Sequence, residues 1–143
     1  MDFSLTEEQI MFRDLFRDFA QKEVAKIAKQ TDELAEPPVA LLKKAAAQGF
    51  LAATVPENLG GAALDLLSYG LLLEEVAKEC MSTAVILAVH NSLVNATLVN
   101  FGSGEQQEKW LPVLAENLGG FAATEPDAGS DTARIATRAR RTG

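Results

Sequence analysis

The sequence predicts a mainly α protein: a helical bundle followed by the first strands of an incomplete β domain. Three observations carry this. Apolar residues recur at helical spacing through the segments before Gly119. Thr6 with Gln9, and Ser103 with Gln106, form the Ser/Thr-x-x-Gln pattern that opens a helix. After Gly119-Gly120 the helical pattern gives way to short apolar or alternating runs, which end at Gly143 before a sheet is complete. The expected organisation is a helical domain over 1–118 and the start of a β domain over 119–143.

The first helix starts at Thr6, where Glu7 and Glu8 suit the positive end of the helix dipole. Phe12, Leu15, Phe16, Phe19 and Ile27 form its inner face; an aromatic stripe at this spacing is core rather than a cofactor box. The polar stretch from Gln30 to Glu36 reads as irregular. Pro37-Pro38 begins a second helix with Leu41, Leu42, Ala45 and Ala46 inward, and Gly49 ends it as a left-handed cap. Phe50 to Val55 is an apolar link through the core, and Pro56 to Gly61 is a turn.

Asp65 caps a third helix, dense in leucine, that runs to about Glu79. Ser82 is expected to cap a fourth, from Thr83 to Phe101, which is apolar almost all round and so belongs at the centre of a bundle or against other domains. Gly102 stops it. Ser103 opens a fifth helix towards Glu116, with a kink or split expected at Pro112. Phe121 to Thr124 and Thr132 to Ala139 read as strands.

With 143 residues the chain is long enough to bury a core. A net charge of −7 argues against nucleic acid and anionic membrane surfaces as partners, although Arg134, Arg138, Arg140 and Arg141 cluster in the tail. The single cysteine, Cys80, forms no internal disulfide and reads as a plain free thiol, which fits a reducing compartment. Met1-Asp2-Phe3-Ser4 lacks the features of a secretory leader, and no apolar run approaches a membrane span. The expected location is the cytoplasm. His90 is the only histidine, so no metal site is expected, and its ring reads as a satisfied structural group.

The chemistry concentrates in Phe121-Ala122-Ala123-Thr124-Glu125-Pro126-Asp127-Ala128-Gly129-Ser130-Asp131. Pro126 and Gly129 punctuate a turn, Thr124 and Ser130 offer hydroxyls, and Gly129 permits close approach of a ligand. Successive N–H groups in such a turn can cradle phosphate oxygens. An ordinary capped turn has the same composition.

The string from Thr124 to Asp131 resembles the flavin-binding signature of the acyl-CoA dehydrogenases. Pro56-Glu57-Asn58-Leu59-Gly60-Gly61, Leu67-Ser68-Tyr69, Glu74-Glu75-Val76-Ala77, Val89-His90-Asn91-Ser92-Leu93 and Gly102-Ser103-Gly104-Glu105-Gln106 resemble other family segments in the family's order. The resemblance covers nearly the whole chain, from Leu5-Thr6-Glu7-Glu8-Gln9 onward. One departure is the link from Val113 to Gly120, which is shorter than the family's usual turn.

The resemblance implies an N-terminal helical domain followed by the opening of a middle β domain. It implies FAD as cofactor and α,β-dehydrogenation of an acyl-CoA thioester, with electrons passing to an electron-transfer flavoprotein and a homo-oligomer as the complete assembly. Phe121, Ala123, Thr124 and Ser130 would lie along the flavin: Thr124 by hydrogen bonding, Ser130 where flavin and thioester meet, Phe121 and Ala123 by main chain and packing. Ser130 and Val89 would contact substrate. The family's base is a glutamate of the C-terminal domain, so no catalytic residue is assigned here. Glu125 has a structural or electrostatic role. A helical interaction module without catalysis, and a fragment of a related acyl-CoA oxidase, are the alternative readings.

Overall fold

The computed structural model describes residues 4–140. Met1 to Phe3, on which the expected lack of a leader rests, and Arg141 of the basic tail fall outside them. Helices α1 (Glu7–Phe19), α2 (Ala25–Leu34), α3 (Val39–Ala47), α4 (Leu66–Glu79), α5 (Met81–Val89), α6 (Ala96–Phe101) and α7 (Gly104–Glu116) form a bundle. Two π turns, Ala20–Val24 and His90–Asn95, join α1 to α2 and α5 to α6 without breaking the right-handed course. α4 lies between α1 and α5 and contributes Leu71, Leu72 and Val76 to the main core.

The opening of α1 is the expected reciprocal cap. Thr6 Oγ1 accepts the Gln9 N–H (3.2 Å), and Gln9 Oε1 accepts the Thr6 N–H (3.0 Å). Phe16 and Phe19 are buried and meet the Phe50 ring edge-on, at 5.4 and 5.1 Å between centroids. Leu15 is instead exposed. The π turn that follows adds a residue to the turn, so Ala20 and Val24 face the core in the next register. Helix also extends through the stretch expected to be irregular, ending where Ala35 takes a left-handed conformation (φ 51°).

Gly49 (φ 79°) ends the α3 region as expected. Phe50, Leu51, Ala52, Ala53 and Val55 are buried, so their backbone polar groups need partners inside the protein. Asp65 caps α4 through the N–H groups of Leu67 (2.8 Å) and Ser68 (3.1 Å). On the same helix the buried Glu75 carboxylate accepts two bonds from Arg17 of α1 (3.1 and 3.2 Å) and one from Lys78 (2.8 Å). Burial alone would raise Glu75, but these donors overcome it and hold it below its ordinary value.

The fourth predicted helix begins earlier than expected. Met81 is its first residue and Cys80 its cap position, so Ser82 does not cap it. Thr83 is already inside the helix, buried, and its hydroxyl donates to Cys80 Sγ (3.3 Å). Met81–Phe101 forms one helix of 21 residues, long and apolar enough to cross a membrane, contrary to the expectation that no run approaches that length. Its interruptions are polar but uncharged, which keeps the mean hydropathy high. Three of those polar residues, His90, Asn91 and Asn95, are buried and bonded to neighbouring parts of the bundle.

Asn91 and Asn95 serve the buried link. Asn91 Oδ1 accepts the Ala53 N–H (2.9 Å), and Asn91 Nδ2 donates to the carbonyls of Phe50 and Leu87 (both 3.0 Å). Asn95 Nδ2 donates to the Leu51 carbonyl (2.7 Å). Gly102 then ends the helix with an extended backbone (φ −72°); a Cβ there would stand 2.6 Å from the Leu98 carbonyl oxygen. The Ser103–Gln106 box opens α7, which is continuous across Pro112 rather than split. Pro112 and Glu108 are both exposed, so water can meet the carbonyl that the proline leaves unbonded.

Neither predicted strand forms among the described residues. Glu125 and Ala128 make one isolated antiparallel bridge, and Thr132–Arg134 is a short 3-10 turn. Strands need non-local partners to satisfy their backbone, and the described residues offer none to these two. The tail is tied differently. The Glu125 carboxylate accepts the N–H groups of Ala136 and Thr137 (both 2.8 Å) and the Thr137 hydroxyl. Those bonds, with Thr137's hydroxyl foremost, hold Glu125 below its ordinary value.

Two outcomes are expected. Asn91→Leu strands the buried Ala53 N–H and Phe50 carbonyl, and urea denaturation should show a loss of about 2–4 kcal/mol. Glu125→Ala should leave the thermal midpoint of the bundle unchanged while trypsin cleaves after Arg134 and Arg138 at least ~3-fold faster. An unchanged cleavage rate would refute the carboxylate tie.

Candidate functional site

The stretch from Phe121 to Ser130 leaves the bundle at Gly119, and His90 governs that exit. The Gly119 N–H donates to His90 Nδ1 (3.1 Å), so Nδ1 carries the lone pair and the proton sits on Nε2. Nε2 then donates to the Leu114 carbonyl near the end of α7 (2.9 Å). Burial pushes the His90 pKa down, against the two backbone hydrogen bonds. The ring is thus a satisfied structural group, as expected. Its position between α7 and the exit was not legible in the sequence. The only signal was that His90, Asn91 and Asn95 cluster in a mostly apolar helix, which also holds Ser82, Thr83, Ser92, Thr97 and Asn100.

Beyond Gly119 the backbone N–H groups of Phe121, Ala122, Ala123 and Thr124 make no backbone hydrogen bond among the described residues. Phe121 is 46% exposed, and Ala123, Thr124 and Ser130 are exposed. The turn itself is closed by two bonds, Glu125 N–H to Ala128 O (2.9 Å) and Ala128 N–H to Glu125 O (3.2 Å). Ala128 is buried beneath it. A Cβ on Gly129 would meet nothing within 4 Å, so no packing in this chain calls for a glycine there.

Among the described residues, this segment presents outward two hydroxyls without partners, the four unbonded N–H groups and an apolar ring, a set chemically suited to the acceptor atoms along a flavin edge. Glu125 takes no part in it, because its oxygens are engaged by Ala136 and Thr137. Val89 is half-buried at the end of α5, next to His90. The structure therefore brings the helix of Val89 to the root of the Phe121–Ser130 segment through the His90–Gly119 bond. No hydrogen bond joins Thr124 or Ser130 to that helix among the described residues. Tyr69 of α4, whose pKa burial raises, meets Ser92 Oγ at 3.0 Å and ties α4 to the same π turn.

Comparison with known proteins identifies the family of the helical part. The family described as "Acyl-CoA dehydrogenase, N-terminal domain" matches residues 6–117. The mitochondrial short-chain specific acyl-CoA dehydrogenase of Mus musculus is 43% identical over 141 residues, which are 97% of this chain and 34% of that protein. Butyryl-CoA dehydrogenase from Megasphaera elsdenii superposes with a TM-score of 0.84 at 36% identity, over 93% of this chain and 36% of that one. A chain in a structure of the electron transferring flavoprotein of Acidaminococcus fermentans superposes with a TM-score of 0.88 at 38% identity, over 94% and 36%. The chain thus spans about a third of the length of the relatives it matches. It belongs to the acyl-CoA dehydrogenase family and carries that family's helical N-terminal domain.

Proposed function

We propose that this chain forms the helical wall and one flavin edge of a site for α,β-dehydrogenation of acyl-CoA thioesters. The observation that carries the proposal is the row of unpaired N–H groups from Phe121 to Thr124 together with the exposed hydroxyls of Thr124 and Ser130, rooted on the helix of Val89. Thr124 and the adjacent N–H groups would hydrogen-bond the isoalloxazine edge of FAD. Ser130 would stand where cofactor and thioester meet, and Val89 would line the acyl pocket. Phe121 and Ala123 would shield that edge from water, which strengthens the polar contacts made there. FAD supplies the two-electron acceptor, and the protein supplies binding and orientation.

The carboxylate that removes the α-proton is proposed to lie outside these residues, so the 143-residue chain alone is read as inactive. Electron-transfer flavoprotein as acceptor and a homo-oligomeric assembly belong to the same proposal. So does a reducing, cytoplasmic setting, for which Cys80 without a second cysteine is the support. Short-chain and butyryl-CoA enzymes among the relatives make butyryl-CoA the substrate to try first. The alternative association role would use exposed apolar side chains such as Leu66 and Phe101, which are 81% and 85% exposed.

The test is the visible absorption spectrum after incubation with excess FAD and removal of free ligand. A retained flavin band is expected, and Thr124→Val with Ser130→Ala should weaken retention about 10-fold. Lack of a band, or retention unaffected by the double substitution, would refute the half-site. The isolated chain should not reduce a dye with butyryl-CoA; turnover would refute the placement of the base.

A further inference from the structure

We propose that His90 is a pH-sensitive latch that holds the root of the Phe121–Ser130 segment on the bundle and releases it when the imidazole gains a second proton. The geometry leaves no other arrangement for the neutral ring. Gly119 presents an N–H to Nδ1, and Leu114 presents a carbonyl to Nε2. A proton added at Nδ1 would face the Gly119 N–H, donor against donor. The ring is 1% exposed, so water is not at hand to accept that proton's bond. Releasing Gly119 is the local way out.

Gly119 is fitted to this contact. A Cβ there would come within 2.6 Å of Val94 Cγ1 and 2.8 Å of Leu114 Cδ2, so any larger residue would have to displace those side-chain tips to bring its N–H to the ring. No charged group offsets the titration. Met81–Phe101 contains no charged residue, the link Phe50 to Val55 contains none, and neither does Leu118 to Ala123. Glu116 of α7, Lys43 of α3 (which shares a cavity with Leu118) and Tyr69 of α4 are titratable, and none of them contributes to the His90 shift.

The sign follows from the direction. His90 is held below the ordinary histidine value of about 6.5, so the released state binds more protons than the latched one. The latch is fully closed above about pH 6.5 and is lost as pH falls through the folded-state value. Asp65, Glu75 and Glu125 are all held below their ordinary values, so their contributions persist until lower pH. Between about pH 4.5 and 6.5 the change therefore belongs to His90. The consequence for flavin rests on the proposed function: the cofactor edge would lose its orientation as the latch opens.

The test is residue-resolved hydrogen exchange on the 143-residue chain at about pH 7.5 and about pH 5.5, corrected for intrinsic rates. Protection at Gly119 should fall at least ~10-fold at the lower pH, while Leu72 and Leu87 keep theirs. As the only histidine, His90 gives an unambiguous ring titration by NMR, and its midpoint should match the Gly119 loss. His90→Asn keeps an acceptor near Nδ1 but does not titrate here, so its Gly119 protection should not depend on pH. Unchanged protection in the parent chain overturns the latch. So does loss at Leu72 and Leu87 in step with Gly119, a mismatched ring midpoint, or a pH step surviving in His90→Asn. Exchange is read without flavin, so absence of FAD binding at either pH would sink the flavin reading and leave the latch standing.

Discussion

The carboxamides of Asn91 and Asn95 bind the buried link from Phe50 to Ala53, and the rest of the bundle is arranged around that contact. An irregular backbone inside a core has polar groups that no helix ladder satisfies, and each one left unpaired costs about 1–3 kcal/mol. Three of those groups, on Phe50, Leu51 and Ala53, are met by side chains of a single π turn. The turn's extra residue lets one helix serve two directions. Asn91 and Asn95 reach the link, while His90 reaches α7 and Gly119. Asn95 Oδ1 has no protein partner among the described residues, and a buried water is the ordinary way to satisfy such an atom.

Apolar packing and charge divide the remaining task. Phe16, Phe19 and Phe50 pack edge to face, which adds about 0.5–1.5 kcal/mol per pair beyond area burial. The Arg17–Glu75–Lys78 cluster is less clearly stabilising, since desolvation of a buried carboxylate offsets much of the attraction. Its bidentate geometry does fix how α1 lies along α4. A slide of one helix past the other would leave Glu75 buried without donors.

What was legible in the sequence was local. Both capping boxes, Asp65 at the start of α4, Gly49 after α3 and the buried link each depend on a few adjacent residues, and each formed as read. The π turns have no comparable signature, and the first sets the register in which Ala20 and Val24 face in. Ser82 misled because a good cap residue was also acceptable inside a helix that Cys80 had already begun. The strands failed for a different reason: alternation marks residues that can pair, and pairing needs a neighbour. In the candidate site, the outward hydroxyls of Thr124 and Ser130 followed from the turn composition. The engagement of Glu125 by residues eleven and twelve positions later could not.

This division of contacts has a mechanical result. The bundle is held by a continuous apolar core, whereas the segment from Gly119 to Arg140 is hydrogen-bonded to it by His90 at its root and, farther along, is tied to itself by Glu125. Single hydrogen bonds of this kind contribute about 0.5–1.5 kcal/mol each, against several kcal/mol for a buried aromatic residue. The segment can therefore change position without loosening the core. A cofactor edge carried on such a segment, as proposed, would be oriented by polar contacts whose geometry is specific and whose strength is small. Its placement would then respond to protonation and to whatever partner pairs the row from Phe121 to Thr124, while the helical wall behind it would not.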